Sequence, residues 1–134
     1  KRFLKQKVKK LELHNKVVFK GFQNTLHWYK KSKIFVISSR FEGTPNVLLE
    51  AMAANLPIIS SDCGGAPEVV GDTGLLFKLG NADELADRIA ELANGENKPK
   101  SLTQQRLENY FSDESAKHTF FSQILKSDHS ELLK

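Results

Sequence analysis

Two glutamates, Glu42 and Glu50, flank the predicted start of a helix at a point where the chain leaves an apolar strand. The helix is predicted over residues 46–54, and the backbone amides of Asn46 and Val47 lie in its first turn. Amides in a first turn have no intrahelical partner, and the helix dipole favours negative charge beside them. A phosphate group is therefore an expected ligand at this point.

The residues just before the helix fit the same expectation. Thr44 is predicted to be the N-cap, and Pro45 is predicted to occupy the first helical position, where its missing N–H costs nothing. Gly43 lets a ligand approach the backbone because it carries no side chain. Residues 43–47 are accordingly predicted to form a phosphate cradle.

The two carboxylates suggest what else the ligand contains. Carboxylate oxygens accept hydrogen bonds from hydroxyl groups, whereas they repel phosphate. Glu42 and Glu50 on either side of an anion cradle therefore suit a ligand with both phosphates and vicinal hydroxyls, which describes a nucleotide-sugar. The alternative left open by the residues alone is that Glu50 is an ordinary exposed helix residue and Glu42 a partner of the helix dipole.

Strands that alternate with helices must position these residues. Continuous apolar runs with helices between them predict a parallel sheet covered on both faces, in which ligands bind beyond the carboxyl ends of the strands. On this rule the important loops are 38–44, 61–67 and the one after Phe19. Strands are predicted over 17–19, 34–37, 57–61 and 74–78, and helices over 1–13, 24–32, 46–54, 67–70, 83–93, 101–110 and 113–126.

Composition excludes several classes of protein. The chain has 134 residues, of which 40% are hydrophobic and 27% charged, as in ordinary globular domains and unlike disordered tails. No apolar run approaches the roughly 20 residues that cross a bilayer. Cys63 is the single cysteine, which excludes an internal disulfide, and the four histidines are scattered without metal-ligand spacing.

Positive charge is concentrated at the start of the chain. Residues 1–33 have a local balance of +10, the remaining residues a balance of −6, and the whole chain +4. Such a basic end is either a solvated helix face or a surface that faces phosphates, nucleic acid or an anionic membrane. No nucleic-acid motif and no interleaving of aromatic and basic residues is present, so nucleic acid is not expected as a partner.

The segment FVISSRFEGTPNVLLEAMAANLPIISSDCGGAPEVVGDTGLLF resembles the retaining GT-B glycosyltransferases of family 4, the group 1 glycosyltransferases. Glu42 and Glu50 match that family's E-x7-E motif, and around them stand the similar pieces SRFEG, PNVLLEAMA, LPII, GG-x-PE and GLLF. VVFKGF is similar to the family's strand before the base-binding loop, and DELADRIAEL to the helix after its edge strand. Thr44 and Pro45 depart from the pattern, because the family often has a large apolar residue and glycine there.

The resemblance implies a Rossmann-like parallel sheet flanked by helices, the C-terminal half of a GT-B fold, and a role for each motif residue. It implies that Glu42 is catalytic and binds hydroxyls of the donor sugar together with Gly43 and Thr44, and that Glu50 binds the ribose. The diphosphate would be held by backbone amides and the base by a loop. These backbone residues are Asn46 and Val47 for the diphosphate, and Gly21, Phe22, Gln23 and Asn24 for the base. Neither a metal nor a cofactor is implied.

The resemblance also implies a place for the chain within a larger enzyme. Residues 1–134 are expected to form most of a C-terminal donor-binding domain, truncated at its N-terminus, with the opening βαβ unit and the N-terminal acceptor domain absent. The family's Arg and Lys that neutralise the diphosphate have no match here, so the chain alone is not expected to turn over. The enzyme would transfer a hexose or N-acetylhexosamine, most simply from a UDP-sugar, to a polysaccharide or lipid-linked glycan. It would be cytoplasmic, with possible peripheral contact to an anionic membrane.

Two other functions remain open at this point. One keeps the GT-B fold and makes the protein a nucleotide-sugar epimerase, which the E-x7-E frame disfavours. The other is a non-catalytic basic module that binds nucleotides or a membrane, which predicts salt-sensitive binding without preference for nucleotide-sugars.

Overall fold

Three short parallel strands form the sheet in the computed structural model, which describes residues 1–43, 45–95 and 105–107. They are β1 (Phe35–Ile37), β2 (Ile58–Ser61) and β3 (Leu75–Phe77), and their order across the sheet is β1-β2-β3. Phe35 lies opposite Ile58, and Ile59 opposite Leu75. The predicted parallel sheet flanked by helices is confirmed.

In the described part of residues 1–95, five helices surround or precede the sheet. They are α1 (Arg2–Lys10), α2 (Thr25–Lys31), α3 (Asn46–Ala53), α4 (Ala66–Val70) and α5 (Ala82–Asn94). Side-chain caps explain two of the boundaries, because Asn24 Oδ1 accepts from the Leu26 amide and Asn81 Oδ1 from the Glu84 amide. Residues 105–107 are helical. The rest of the helix predicted over 101–110, and all of that predicted over 113–126, lie outside the described residues.

The core lies around the central strand. All four residues of β2 are buried, including Ser60 and Ser61, as expected of a central parallel strand covered on both faces. Helices α3 and α4 contribute most of the remaining buried side chains, and Leu107 is fully buried among them. The buried cluster comprises Tyr29, Leu48, Leu49, Ala51, Met52, Leu56, Ile58, Ala66, Val69, Val70 and Leu107.

The strand predicted over residues 17–19 is wrong. Val18 is 68% exposed, and the amide of Val17 donates to the carbonyl of Leu13 in a turn. Among the described residues the sheet contains only β1, β2 and β3, so this apolar run has no neighbouring strand to supply hydrogen bonds. An extended segment needs that partner, because its own backbone groups cannot bond to one another.

The start of α3 also differs from the prediction. Pro45 is the N-cap, with φ −77° and ψ 101°, and the helix begins at Asn46. The Pro45 carbonyl already accepts from the Leu48 amide at 2.9 Å, which is the bond expected of an N-cap residue. Thr44, predicted as the cap, lies outside the described residues.

Candidate functional site

The loops that follow β1 and β2 are bonded to each other at the carboxyl edge of the sheet. The Ser61 hydroxyl donates to the Ser39 carbonyl at 2.7 Å, and the Cys63 thiol donates to the same carbonyl at 3.2 Å. Adjacent parallel strands place these residues side by side. The thiol therefore has a packing role at the edge where the sequence predicts the ligand.

Glu42 lies in the loop after β1, and its backbone rests on the loop after β2. The Gly65 amide lies 3.3 Å from the Glu42 carbonyl and 3.1 Å from the Gly43 carbonyl, and donates to both. Gly64 has φ +53°, and a Cβ there would overlap the Glu42 carbonyl oxygen. Only glycine satisfies both conditions. No local pattern in the sequence indicates that Gly64 supports Glu42.

Gly43 differs from Gly64. A Cβ at Gly43 would meet no atom of the described residues within 4 Å, apart from its own chain neighbours, and its φ lies outside the left-handed region. Neither packing within the described chain nor backbone geometry requires glycine there. The space beside Gly43 is thus open among the described residues, and its chain neighbour Glu42 is half-buried.

The first turn of α3 faces outward. Asn46 and Val47 are exposed, and their amides belong to the group that a helix leaves without intrahelical partners. The helix behind them is anchored by buried Leu48, Leu49 and Met52. The predicted cradle thus has a fixed support and an open face, while Thr44 within it lies outside the described residues.

Glu50 is half-buried on α3 and receives a hydrogen bond from α2. The Tyr29 hydroxyl donates to Glu50 Oε2 at 2.9 Å and lies 3.5 Å from the Val47 carbonyl oxygen. Burial, then the hydrogen bond to Glu50 and the nearby Glu50 charge, raise the pKa of Tyr29 well above its ordinary value. The hydroxyl therefore keeps its proton and remains a donor.

The segment predicted to contact the base lies just before α2. Gly21 has φ +71°, and the side chain of Phe22 is fully exposed. Gln23 Nε2 donates to the Lys20 carbonyl at 3.2 Å, and Asn24 caps α2. The side chains of Gln23 and Asn24 are thus engaged within the loop and its helix, which leaves Phe22 and the backbone facing solvent.

The predicted site residues fall into two groups. Glu42 and Gly43 are joined by hydrogen bonds to the loop after β2. Glu50 and Val47 are joined through Tyr29 to the helix that follows residues 21–24. The sequence does not predict the bond of Tyr29 to Glu50, since nothing in a single sequence pairs two residues 21 positions apart.

Two features are absent from the part of the chain that the structure describes. No group of three or more His, Cys, Asp or Glu side chains is arranged to hold a metal ion there. None of its helices is both long enough and apolar enough to span a membrane.

The sequence family described as "Glycosyl transferases group 1" matches residues 1–108. The N-acetyl-α-D-glucosaminyl L-malate synthase of Bacillus anthracis is 34% identical over 109 residues, covering 79% of this chain and 29% of the relative. The capsular polysaccharide biosynthesis glycosyltransferase CapM of Staphylococcus aureus is 30% identical over 105 residues, covering 75% and 28%. This chain therefore spans less than a third of each relative's length.

A solved structure is similar to this chain as well. The HepE protein of Anabaena in complex with UDP superposes with a TM-score of 0.75 at 25% identity, covering 94% of this chain and 36% of that one. The likeness includes the parallel sheet and its flanking helices, so the predicted GT-B type of fold is confirmed.

Proposed function

The chain belongs to the group 1 glycosyltransferases, and we propose that it binds the nucleotide-sugar donor of a sugar transfer that retains anomeric configuration, as in family 4. The observation that carries this proposal is the pair Glu42 and Glu50, each held by a different neighbouring element beside the exposed first turn of α3. The HepE complex with UDP supports a uridine nucleotide as the ligand.

Each group of the donor has a matching group in the chain. The amides of Asn46 and Val47 would bind the diphosphate, since they have no partner within the helix. The Glu50 carboxylate would accept from ribose hydroxyls, and Glu42, the catalytic carboxylate, from hydroxyls of the sugar. The open space beside Gly43 leaves room for that sugar, and Thr44, which is also proposed to bind it, lies outside the described residues.

The base would lie against residues 21–24. The exposed ring of Phe22 offers an apolar surface to a planar base, and the backbone of Gly21 can be approached closely. Gln23 and Asn24 hold the loop's shape rather than reach outward, because their side chains bond within it. Recognition of the base would therefore rest on the loop's backbone and on Phe22.

The reaction breaks the bond between the anomeric carbon and a phosphate oxygen. The nucleotide diphosphate departs with the bonding electrons, and amides fixed at a helix N-terminus stabilise the charge that develops on it. The sugar, a hexose or N-acetylhexosamine, forms its new bond to the oxygen of an acceptor hydroxyl on the same face, and the proton of that hydroxyl passes to the departing diphosphate. We propose that neither a metal nor another cofactor takes part.

We also propose that the chain acts as the C-terminal domain of a two-domain enzyme. Its span of less than a third of the relatives' length leaves the acceptor site to the rest of such an enzyme. We propose that the acceptor is a polysaccharide or a lipid-linked glycan, and the name of CapM, a capsular polysaccharide biosynthesis glycosyltransferase, supports the first of these. We propose that the enzyme acts in the cytoplasm and has no nucleic-acid partner.

Calorimetric titration tests the donor proposal. The protein, at the length that its gene encodes, is titrated with UDP, GDP, ADP and UDP-glucose, as wild type and as Glu50→Gln. We expect UDP to bind, and Glu50→Gln to raise its dissociation constant about tenfold. Asp87→Asn is the matched control, because it removes one carboxylate charge from the exposed face of α5. Equal binding of UDP by wild type and Glu50→Gln would contradict the role of Glu50.

One observation favours a second function, contact with an anionic membrane. Helix α1 is basic, and Phe3 is 72% exposed on it, with Leu4 and Leu11 also exposed. Such a helix can lie in a membrane interface. Sedimentation with phosphatidylglycerol vesicles, and with phosphatidylcholine vesicles as control, tests this. Binding of neither vesicle would contradict it, and binding of DNA with equal salt sensitivity would indicate a general polyanion surface instead.

A further inference from the structure

We propose that Tyr29 is a positioning residue of the donor site, whose hydroxyl fixes the Glu50 carboxylate for the ribose. This inference rests on the proposed function, in which Glu50 binds ribose hydroxyls. Tyr29 itself would touch no part of the ligand, because its side chain is covered by α3 and only 8% exposed.

The hydrogen bond leaves Glu50 available to a ligand. Tyr29 donates to Oε2 at 2.9 Å and so restrains rotation of the carboxylate, while Oε1 stays free of that bond. A carboxylate can accept about four hydrogen bonds, so one from tyrosine leaves capacity for two ribose hydroxyls. A carboxylate held in advance binds with less loss of side-chain entropy than a mobile one.

The hydroxyl is not needed to fill the core. The ring of Tyr29 packs against Phe35, with centroids 5.7 Å apart at an angle of 58°. A phenylalanine ring would make the same contact, and a buried hydroxyl costs free energy unless it is bonded. What distinguishes tyrosine from phenylalanine here is the bond to Glu50.

Helix α2 connects two parts of the proposed site. Its N-cap, Asn24, belongs to the segment proposed to contact the base, and Tyr29 lies one turn further along the same short helix. The distance from Tyr29 to Glu50 therefore fixes where the base segment lies relative to the ribose carboxylate. The nucleoside would be recognised by two segments that are joined through one hydroxyl.

The test compares two ligands that differ only in ribose hydroxyls. Dissociation constants for UDP and 2′,3′-dideoxy-UDP are measured with wild type, Tyr29→Phe, Glu50→Gln and the double variant, with the protein at its encoded length. We expect Tyr29→Phe to weaken UDP binding about tenfold, or about 1.4 kcal/mol. Binding of the dideoxy ligand should change less than twofold. In the Glu50→Gln background, Tyr29→Phe should have little further effect on UDP, since the two residues act as a unit.

Ser32→Ala is the matched control, because it removes a hydroxyl from the same end of α2 that donates to the Trp28 carbonyl and not to Glu50. It should leave both dissociation constants unchanged. Equal weakening of both ligands by Tyr29→Phe, or none, would overturn the positioning role alone. If wild type binds UDP and its dideoxy analogue equally well and Glu50→Gln changes neither, the ribose role of Glu50 fails, and the role of Tyr29 fails with it.

Discussion

The loop that carries Glu42 and the helix that carries Glu50 are held in place by different kinds of contact. Around Glu42 the contacts are between backbones, with the Gly65 amide bonded to two carbonyls and Gly64 pressed against one of them. Around Glu50 the contact is between side chains, a single hydroxyl on a buried ring. No atom can be added at Gly64 without displacing the Glu42 carbonyl. The contact at Glu50 instead depends on the Tyr29 hydroxyl, which can be removed while the ring keeps its shape.

Because of this difference, a substitution near Glu42 should disturb the fold, whereas one near Glu50 should chiefly change the geometry of the proposed ligand site. A substitution at Gly64 must displace the backbone, so the fold and the position of Glu42 should fail together. A substitution that deletes the Tyr29 hydroxyl keeps the packed ring, so Glu50 should lose its restraint while the fold survives. The variants below test this contrast, in order of their expected effect on the free energy of unfolding.

Gly64→Ala should have the largest effect. Its Cβ would overlap the Glu42 carbonyl oxygen and lie 2.9 Å from the carbonyl carbon, and its φ of +53° already disfavours alanine. Overpacking and left-handed backbone together should lower the free energy of unfolding by about 3 kcal/mol. Urea denaturation measures this change.

Gly80→Ala measures the cost of the left-handed backbone without the overpacking. Gly80 has φ +81°, and no atom of the described residues lies within 4 Å of the Cβ that alanine would add. This variant should therefore lose only about 1 kcal/mol, the backbone part of the cost. Equal losses for Gly64→Ala and Gly80→Ala would show that the contact with Glu42 contributes nothing.

Tyr29→Phe should have a smaller effect on stability than Gly64→Ala, the variant for which Gly80→Ala serves as the control. A hydrogen bond to a charged group contributes about 1.5–3 kcal/mol, and the half-buried Glu50 can recover part of this from water, so a loss of about 1.5 kcal/mol is expected. Urea denaturation at neutral pH measures this loss in the free energy of unfolding, with Ser32→Ala as the control. A loss above 3 kcal/mol would mean that the hydroxyl supports the core, and the contrast with Gly64 would disappear.

The same variant gives an expected pH dependence. Since the pKa of Tyr29 is raised in the folded state, the unfolded chain releases the phenolic proton first as the pH rises past about 10. The unfolded state then binds fewer protons, so the stability of the wild type falls with pH in that range. Phenylalanine has no ionisable proton, so this contribution is absent from Tyr29→Phe. The difference in the free energy of unfolding between wild type and Tyr29→Phe should therefore be smaller at pH 11 than at pH 8, and an unchanged difference would contradict a raised pKa of Tyr29.

Local sequence predicts most of the fold and little of the contacts that hold the site. The strands at 34–37, 57–61 and 74–78 and the helix at 24–32 are predicted within a residue or two, because apolar runs and helical periodicity are local features of the sequence. The run at 17–19 was misjudged because a strand depends on a partner that lies elsewhere. The same reason hides the bond of Tyr29 to Glu50 and the contact of Gly64 with Glu42, each of which joins residues more than 20 positions apart.

Gly43→Ala should have the smallest effect on stability and is the sharpest test of the proposed site. Its Cβ would meet no atom of the described residues within 4 Å apart from its chain neighbours, and its φ is not left-handed, so the free energy of unfolding should change by less than about 0.5 kcal/mol. If glycine is needed there for a ligand, the added methyl group should weaken binding of UDP-glucose more than binding of UDP, because the sugar is proposed to lie beside Gly43. Calorimetric titration with both ligands measures this, and equal affinity of wild type and Gly43→Ala for UDP-glucose would place the sugar elsewhere. A large loss of stability would instead show that Gly43, like Gly64, is required by the fold.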